Sequence, residues 1–220
     1  LKGLLNRGPL DHQVYLSMAQ VFEKGKKFDE AIRAVQKAEA VARTEPQKRA
    51  VLFTYGSVLE RGKRFDEAEE KFRELLAKDP NNASALNYLG YMLADRNIRL
   101  DDAHAMIQRA LDLDPNNGAY LDSLGWVYYR QNKFELAERY LRRSLEQHKR
   151  DPIVLSHLGD VYFKLRRPEL AEQHWKRSIE EWERSAPSDR DDAAIAELRK
   201  KLSNMTPRSS VSAAEEERRP

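Results

Sequence analysis

The chain contains no cysteine, so it can form neither a disulfide nor a thiolate metal site. Cysteine usage therefore leaves the cytoplasm and a bacterial periplasm or cell envelope equally open. There is no run of about 20 apolar residues, which excludes a membrane-spanning helix in this sequence. Charge of one sign is missing as well: 39 Lys and Arg face 36 Asp and Glu, a net of +3 spread over many positions. Nucleic-acid binding normally needs a clustered basic face, so this balance argues against it. Catalytic signatures are absent too, with no phosphate loop, no nucleophile elbow and no glycine-rich dinucleotide motif. His12, His104, His148, His157 and His174 show neither HExxH nor cysteine spacing. His157 and His174 can approach each other across one repeat, but a metal site needs more ligands than that pair. The expectation is a non-enzyme without cofactor or metal.

What the chain has is a period. Ala19, Gly56, Gly90, Gly125 and Gly159 recur at one register, each followed about twelve residues later by Ala31, Ala68, Ala103, Ala137 and Ala171. The glycines lie 34, 35 and 34 residues apart, and Ala19 precedes Gly56 by 37, the extra residues falling near 42–47. A fixed period of this length marks a solenoid, in which no repeat can bury its own apolar face. Length then counts repeats rather than domains.

Each unit reads as two helices, A and B. Helix A carries an apolar stripe, as in Leu121, Leu124 and Tyr128 around Gly125. Helix B opens on an aromatic or aliphatic residue followed by acids, as in Phe28-Asp29-Glu30-Ala31 and Phe65-Asp66-Glu67-Ala68. Those acids are expected to accept from free backbone N–H groups and to complement the helix dipole, with the apolar residue stapling the entry. Asp79-Pro80, Asp114-Pro115 and Asp151-Pro152 end the B helices, and nearby Asn or Asp side chains are placed to cap the next A helix. Glycine inside a helix costs about 1 kcal/mol relative to alanine, so its return at one register implies a close neighbour. The expected neighbour is the small residue of helix B.

Leu121-Asp122-Ser123-Leu124-Gly125-Trp126-Val127-Tyr128, then Ala137, and the Asp66 to Pro80 segment resemble the tetratricopeptide repeat (TPR). The resemblance covers about residues 12–184. Departures are Ala19 for glycine, one extra residue between Asp95 and Leu100, and a longer exit from Gln147 to Asp151. It implies an all-α fold: a right-handed superhelical solenoid of antiparallel helix pairs, five TPRs with a C-terminal capping helix. The expected layout is a remnant of a preceding repeat at 1–10, a five-repeat domain at 11–184, a capping helix at 185–204 and a disordered tail at 205–220. Residues 1–10 read as a final helical turn with its glycine terminator and following proline. The segment Leu86 to Asp95 and its successor are similar to bacterial TPR proteins, some of which are cell-envelope lipoproteins serving as adaptors for proteases or assembly machines.

In this family A helices line the concave face, and ligand contacts usually come from three before, one after, and four to five after the small residue. Carried over, the expected groove comprises Asn87, Tyr91, Asp122, Trp126, Tyr129, Arg130, Ser156, Asp160 and Phe163, centred on repeats three and four. Aromatics beside hydrogen-bonding groups compose interaction hot spots. Tyr129 and Phe163 occupy a register where an aromatic ordinarily packs on the neighbouring A helix, so packing outweighs contact there. The groove aspartates favour a protein or peptide ligand bearing Lys, Arg or a free amine. The chaperone-tail carboxylate clamp is missing, since Leu16, Gln20, Phe53, Ser57, Asn87 and Tyr91 stand at its positions. The expected function is an adaptor or scaffold that holds a peptide or partner helix in this groove. One alternative is an oligomerisation scaffold using its ends or convex face, with a homodimer through an exposed terminal repeat. RNA reading by helical-hairpin repeats is the lesser alternative, and Asp95, Asp122 and Asp160 oppose it by repelling phosphate.

Overall fold

A computed structural model describes residues 11–187 and 189–205. The expected repeat remnant at 1–10 and all but the first residue of the expected tail lie outside the described residues. Eleven α-helices and no strand occupy the described residues: α1 (Asp11–Lys24), α2 (Phe28–Val41), α3 (Glu45–Arg61), α4 (Phe65–Lys78), α5 (Ala83–Asp95), α6 (Leu100–Leu113), α7 (Gly118–Arg130), α8 (Phe134–Gln147), α9 (Pro152–Lys164), α10 (Pro168–Arg184) and α11 (Asp192–Met205). The chain forms two compact units that divide between Gln147 and His148. The first holds the hairpins α1/α2, α3/α4, α5/α6 and α7/α8; the second holds α9/α10 and α11.

Local chemistry sets the helix ends. Thr44 caps α3 in a capping box with Gln47, and Asn82, Asn117 and Asp151 cap α5, α7 and α9 through side-chain oxygens. The expected caps after each Asp-Pro are thus present. The B helices differ from expectation: Lys27, Arg64, Arg99 and Arg167 at the N-cap of α2, α4, α6 and α10 make no side-chain cap bond. Their acids already lie inside the first turn, where they complement the dipole instead of capping.

Each A helix closes through a left-handed residue: Lys26, Lys63, Asn97, Asn132 and Arg166, all with φ between 56° and 61°. In the second hairpin Lys63 N–H donates to the Glu60 carbonyl and Arg64 N–H to the Leu59 carbonyl, each at 2.8 Å. This 5→2 and 6→1 pair is the Schellman closure, here made without glycine. The extra residue before Leu100 is absorbed by a second left-handed residue, Arg99, at φ 46°.

The glycines do face helix B, but their nearest neighbour is not the alanine. A Cβ built on Gly56, Gly90, Gly125 or Gly159 meets Phe72, Ile107, Leu141 or Trp175 at 2.8, 2.6, 2.6 and 2.2 Å. Each of these side chains stands one turn after the B-helix alanine. The alanine contributes its backbone: the Ala103 carbonyl lies 3.0 Å from the Gly90 position and that of Ala137 3.3 Å from Gly125. Glycine therefore makes room for a large core side chain as well as for close helix approach. The first hairpin, with Ala19 in place of glycine, has the smaller Val35 at the corresponding register, and both are fully buried.

In the first unit consecutive A helices touch, α1 to α3 to α5 to α7, and α2, α4 and α6 each pack on the following A helix. In the second unit α10 carries α11, which buries Ile195 and Leu198. Residues 185–187 and 189–191, expected as part of the last helix, precede it, because Asp191 Oδ1 accepts from the backbone N–H groups of Ala193 and Ala194.

Candidate functional site

The nine expected groove residues fall into two sets, one per unit. In the first unit, α5 supplies Asn87 and Tyr91, and α7 supplies Asp122, Trp126, Tyr129 and Arg130. Helix pitch puts Asn87 one turn from Tyr91 and Asp122 one turn from Trp126. The Asn87 Oδ1 is buried with no hydrogen-bond donor among the described residues. Burial, followed by the Asp122 and Asp95 carboxylates, pushes the Tyr91 phenol up, so it stays a neutral hydrogen-bonding group.

Contact by a ligand requires Asp122 and Trp126 to be reachable, and the structure leaves each only 8% exposed. Trp126 stacks on Tyr129 with centroids 4.7 Å apart and planes within 9°, and Tyr129 leans on Phe134 at 5.7 Å. Tyr129 thus packs, but on its own helix and on Phe134 of α8. Arg130 sits 5.8 Å over the Trp126 ring and donates to the Asp95 carbonyl at 3.0 Å, tying α7 to α5. Aspartate and tryptophan thus form the floor of the site, with Asn87 and Tyr91 beside them.

Neighbouring charge was only partly foreseen. Glu60 of α3 accepts from the Tyr88 hydroxyl at 3.3 Å, and burial pushes its carboxyl up against that bond. The Tyr88 phenol is pushed up to about 12, by burial first and the Glu60 charge second. Glu23 is neutralised by Arg61 at 2.7 Å. Glu60 stands four residues after Gly56, at one of the family's contact spacings; nothing in the sequence marked Tyr88, which follows Asn87, as its partner. Further toward α1, an open cavity of about 490 Å³ is lined by Leu16, Gln20, Phe53 and Thr54 together with Asn82 and Ser84.

In the second unit Ser156 is half-buried, while Phe163 is 49% exposed, against the packing expected at its register. Trp175 explains the difference: it fills the space opposite Gly159 and meets Phe163 at 5.7 Å, leaving the phenyl ring on the outside. Asp160 accepts from the Trp175 indole N–H at 3.0 Å and binds Lys201 of α11 through both oxygens, at 2.7 and 2.8 Å. Lys201 was not foreseen. Its signal was available in its place three residues after Leu198, near the apolar stripe of α11.

Among the described residues no group of three or more His, Asp or Glu is placed to hold a metal ion, and no helix is long and apolar enough to cross a membrane. His157 is buried and His174 lies 4.9 Å from the Tyr162 ring.

Stacked antiparallel hairpins with small residues at one register and varied side chains on the A helices define a helical-repeat interaction protein. The chain belongs to the tetratricopeptide repeat family, whose sequence model matches residues 16–83, 56–118 and 123–190. It is similar to the TPR repeat-containing protein PA4667 of Pseudomonas aeruginosa, with 35% identity over 130 residues, which is 59% of this chain. It spans 22% of that relative's length. Among solved structures it resembles TTC0263, a thermophilic TPR protein of Thermus thermophilus, at TM-score 0.70 and 20% identity over 88% of this chain and 97% of the other. It also resembles PilW, a type IV pilus biogenesis factor, at TM-score 0.68 and 21% identity over 90% and 95%. For pilF of Pseudomonas aeruginosa the TM-score is 0.64 at 22% identity over 90% and 93%. At these identities the structural likeness establishes the fold. The family establishes a protein-interaction or scaffold role in general terms.

Proposed function

We propose that the A-helix face of the first unit, centred on α5 and α7, receives a peptide or helix of a partner protein and selects a basic one. The observation that carries this reading is Asn87, whose Oδ1 is buried without a donor. A buried acceptor left unmatched costs about 1–3 kcal/mol, which a partner's N–H or ammonium group offsets. Around it, Glu60, Asp95 and Asp122 supply negative potential, since all three carboxylates act on the Tyr91 phenol. A cationic side chain approaching Asn87 gains from each of them.

A positional-scanning peptide library tests the reading. The chain should enrich Lys or Arg at one position, and Asn87→Ala should bind the selected peptide about 5–20-fold more weakly, the equivalent of about 1–2 kcal/mol. Far-UV circular dichroism of that variant should not change. Enrichment of neutral or acidic peptides, or equal binding by Asn87→Ala, refutes it. Alanine at Asp122 or Trp126 is a poorer test, because both are packed in the floor and their loss also disturbs the stack.

A second reading, that of a scaffold with contacts on the B-helix side, draws support from a cavity of about 450 Å³ beside α4 and α6. Leu76, Ala77, Pro80 and Met106 line it between Arg73 and Arg109. Met106→Glu should change oligomer size in light scattering if this cleft makes the contact, and leave peptide capture alone.

A further inference from the structure

Lys201 occupies Asp160 as a ligand would. Its ammonium contacts both carboxylate oxygens at 2.7 and 2.8 Å and lies 5.6 Å from the centroid of the Trp175 ring. The indole N–H of Trp175 holds the same carboxylate at 3.0 Å, fixing its orientation. A charge-assisted bidentate contact combined with an aromatic face is the chemistry by which a protein selects an ammonium group. Phe163, largely exposed beside Trp175, extends the apolar wall next to it.

Position separates this arrangement from an ordinary surface ion pair. Asp160 directly follows Gly159, as Tyr91 follows Gly90 and Trp126 follows Gly125, so it stands at the A-helix register that faces a ligand. The element that fills it is weakly anchored. Helix α11 buries only Ile195 and Leu198, whereas α10 buries Ala171, Trp175, Ser178 and Ile179. Toward α10 the helix also makes the ion pair Arg199 to Glu183, between exposed side chains. Elements with few buried contacts open at low free energy, ahead of the units they cover.

We propose that Asp160, Trp175 and Phe163 form a lysine-accepting docking face, that α11 fills it as a built-in ligand, and that a partner helix presenting the same Ile–Leu–Lys pattern at i, i+3 and i+6 displaces α11. The proposal uses residues of the second unit alone. It stands or falls separately from the reading of Asn87 and its neighbours.

The probe is a fluorescein-labelled synthetic peptide of residues 191–205, and the acceptor is the full chain. A resident competitor lowers apparent affinity by the fraction of chains in which it is released. Anisotropy should therefore show the peptide binding the Lys201→Ala chain at least about tenfold more tightly than the unaltered chain. A peptide that itself carries Lys201→Ala should lose that gain, and so should a chain carrying Asp160→Asn together with Lys201→Ala. Equal affinity for the two chains overturns the proposal, as does a gain that survives Lys201→Ala in the peptide. Hydrogen–deuterium exchange of the Lys201→Ala chain distinguishes a displaceable latch from a brace. Faster uptake confined to α11 supports the proposal, and faster uptake spreading through α9 and α10 refutes it.

Discussion

Replacing Gly159 by alanine adds a single methyl group directly against the buried indole of Trp175. The new Cβ would lie 2.2 Å from Trp175 Cδ1 and 2.4 Å from Nε1, whereas carbon atoms normally approach to about 3.5–4.0 Å. The indole must move by more than about 1 Å, and it is buried on all sides. Overpacking of this kind costs about 1–3 kcal/mol. The displaced indole also loses its 3.0 Å bond to the Asp160 carboxylate, a further loss of about 1.5–3 kcal/mol for a bond to a charged group. Against these, alanine gains about 1 kcal/mol over glycine in helix propensity. The net expectation is a loss of about 1.5–5 kcal/mol, with α9 and α10 the elements that loosen. Urea unfolding followed by circular dichroism gives the stability, and hydrogen exchange gives its location. Gly25→Ala is the control, because a Cβ there meets only atoms at 3.4 to 4.0 Å; it should stay within about 0.5 kcal/mol of the parent. Should Gly159→Ala prove as stable as the parent or more so, propensity alone governs the site and the close-packing account of the glycine register is wrong.

The hairpin turns give an opposite expectation. Lys63 sits at φ 61°, where a residue with a Cβ is strained by about 1–2 kcal/mol, so Lys63→Gly should raise the urea midpoint by the equivalent of about 0.5–1 kcal/mol once the entropy cost of glycine is subtracted. A lowered midpoint would contradict the turn geometry. Asn117→Ala removes a cap that accepts from Ala119 N–H and Tyr120 N–H and should cost about 1 kcal/mol in calorimetry; no loss would mean that the bonds are immaterial. Ala137→Leu, at a fully buried position, should cost about 1–3 kcal/mol by overpacking, and an unchanged melting temperature would count against the B-helix register. Glu60→Gln tests charge. Burial raises the folded-state pKa of Glu60 above its unfolded value, so the native state binds the extra proton, and stability falls as pH rises from the ordinary carboxylate range through the raised value. The glutamine variant should therefore gain stability over the parent at pH 7, and the gain should vanish in acid below the ordinary carboxylate range. A gain that persists unchanged at low pH would assign the effect to something other than ionisation.

Architecture was legible because it depends on intervals. Positions such as Gly125 and Ala137 return at one spacing, and Asp79-Pro80 and Asp114-Pro115 place the exits of α4 and α6, so hairpin number and register follow from counting. Asp151-Pro152 instead opens α9, four residues after α8 has ended at Gln147. Contacts between side chains were less legible. Spacing brings Gly159 to face helix α10 but does not tell whether Ala171 or Trp175, one turn apart, fills the gap. It also cannot tell that Phe163 is pushed outward by the residue that does. The left-handed turns were hidden for a related reason: each A-to-B connection places its positive φ on Lys, Asn or Arg rather than on glycine, and lysine and arginine give no local sign of it. Tyr88 and Glu60 are 28 residues apart, a contact that only the stacking of α3 on α5 creates.

On the groove reading proposed above, stability and recognition use different registers of the same A helices, and their separation is incomplete. The glycine and the apolar stripe face helix B, so they can stay fixed while residues one, four and five positions later change with the ligand. Yet Trp126 follows Gly125 directly and is buried on Tyr129, and Asp160 follows Gly159 and holds Trp175, the side chain that needs that glycine. At these two places the recognition register rests directly on the core. Altering ligand preference there alters the stack, whereas Asn87, half-buried on α5 with its Oδ1 unmatched, can change with little effect on packing. If the proposed groove holds the partner, substitutions at the position three before the glycine should change partner choice with the smallest change in unfolding free energy.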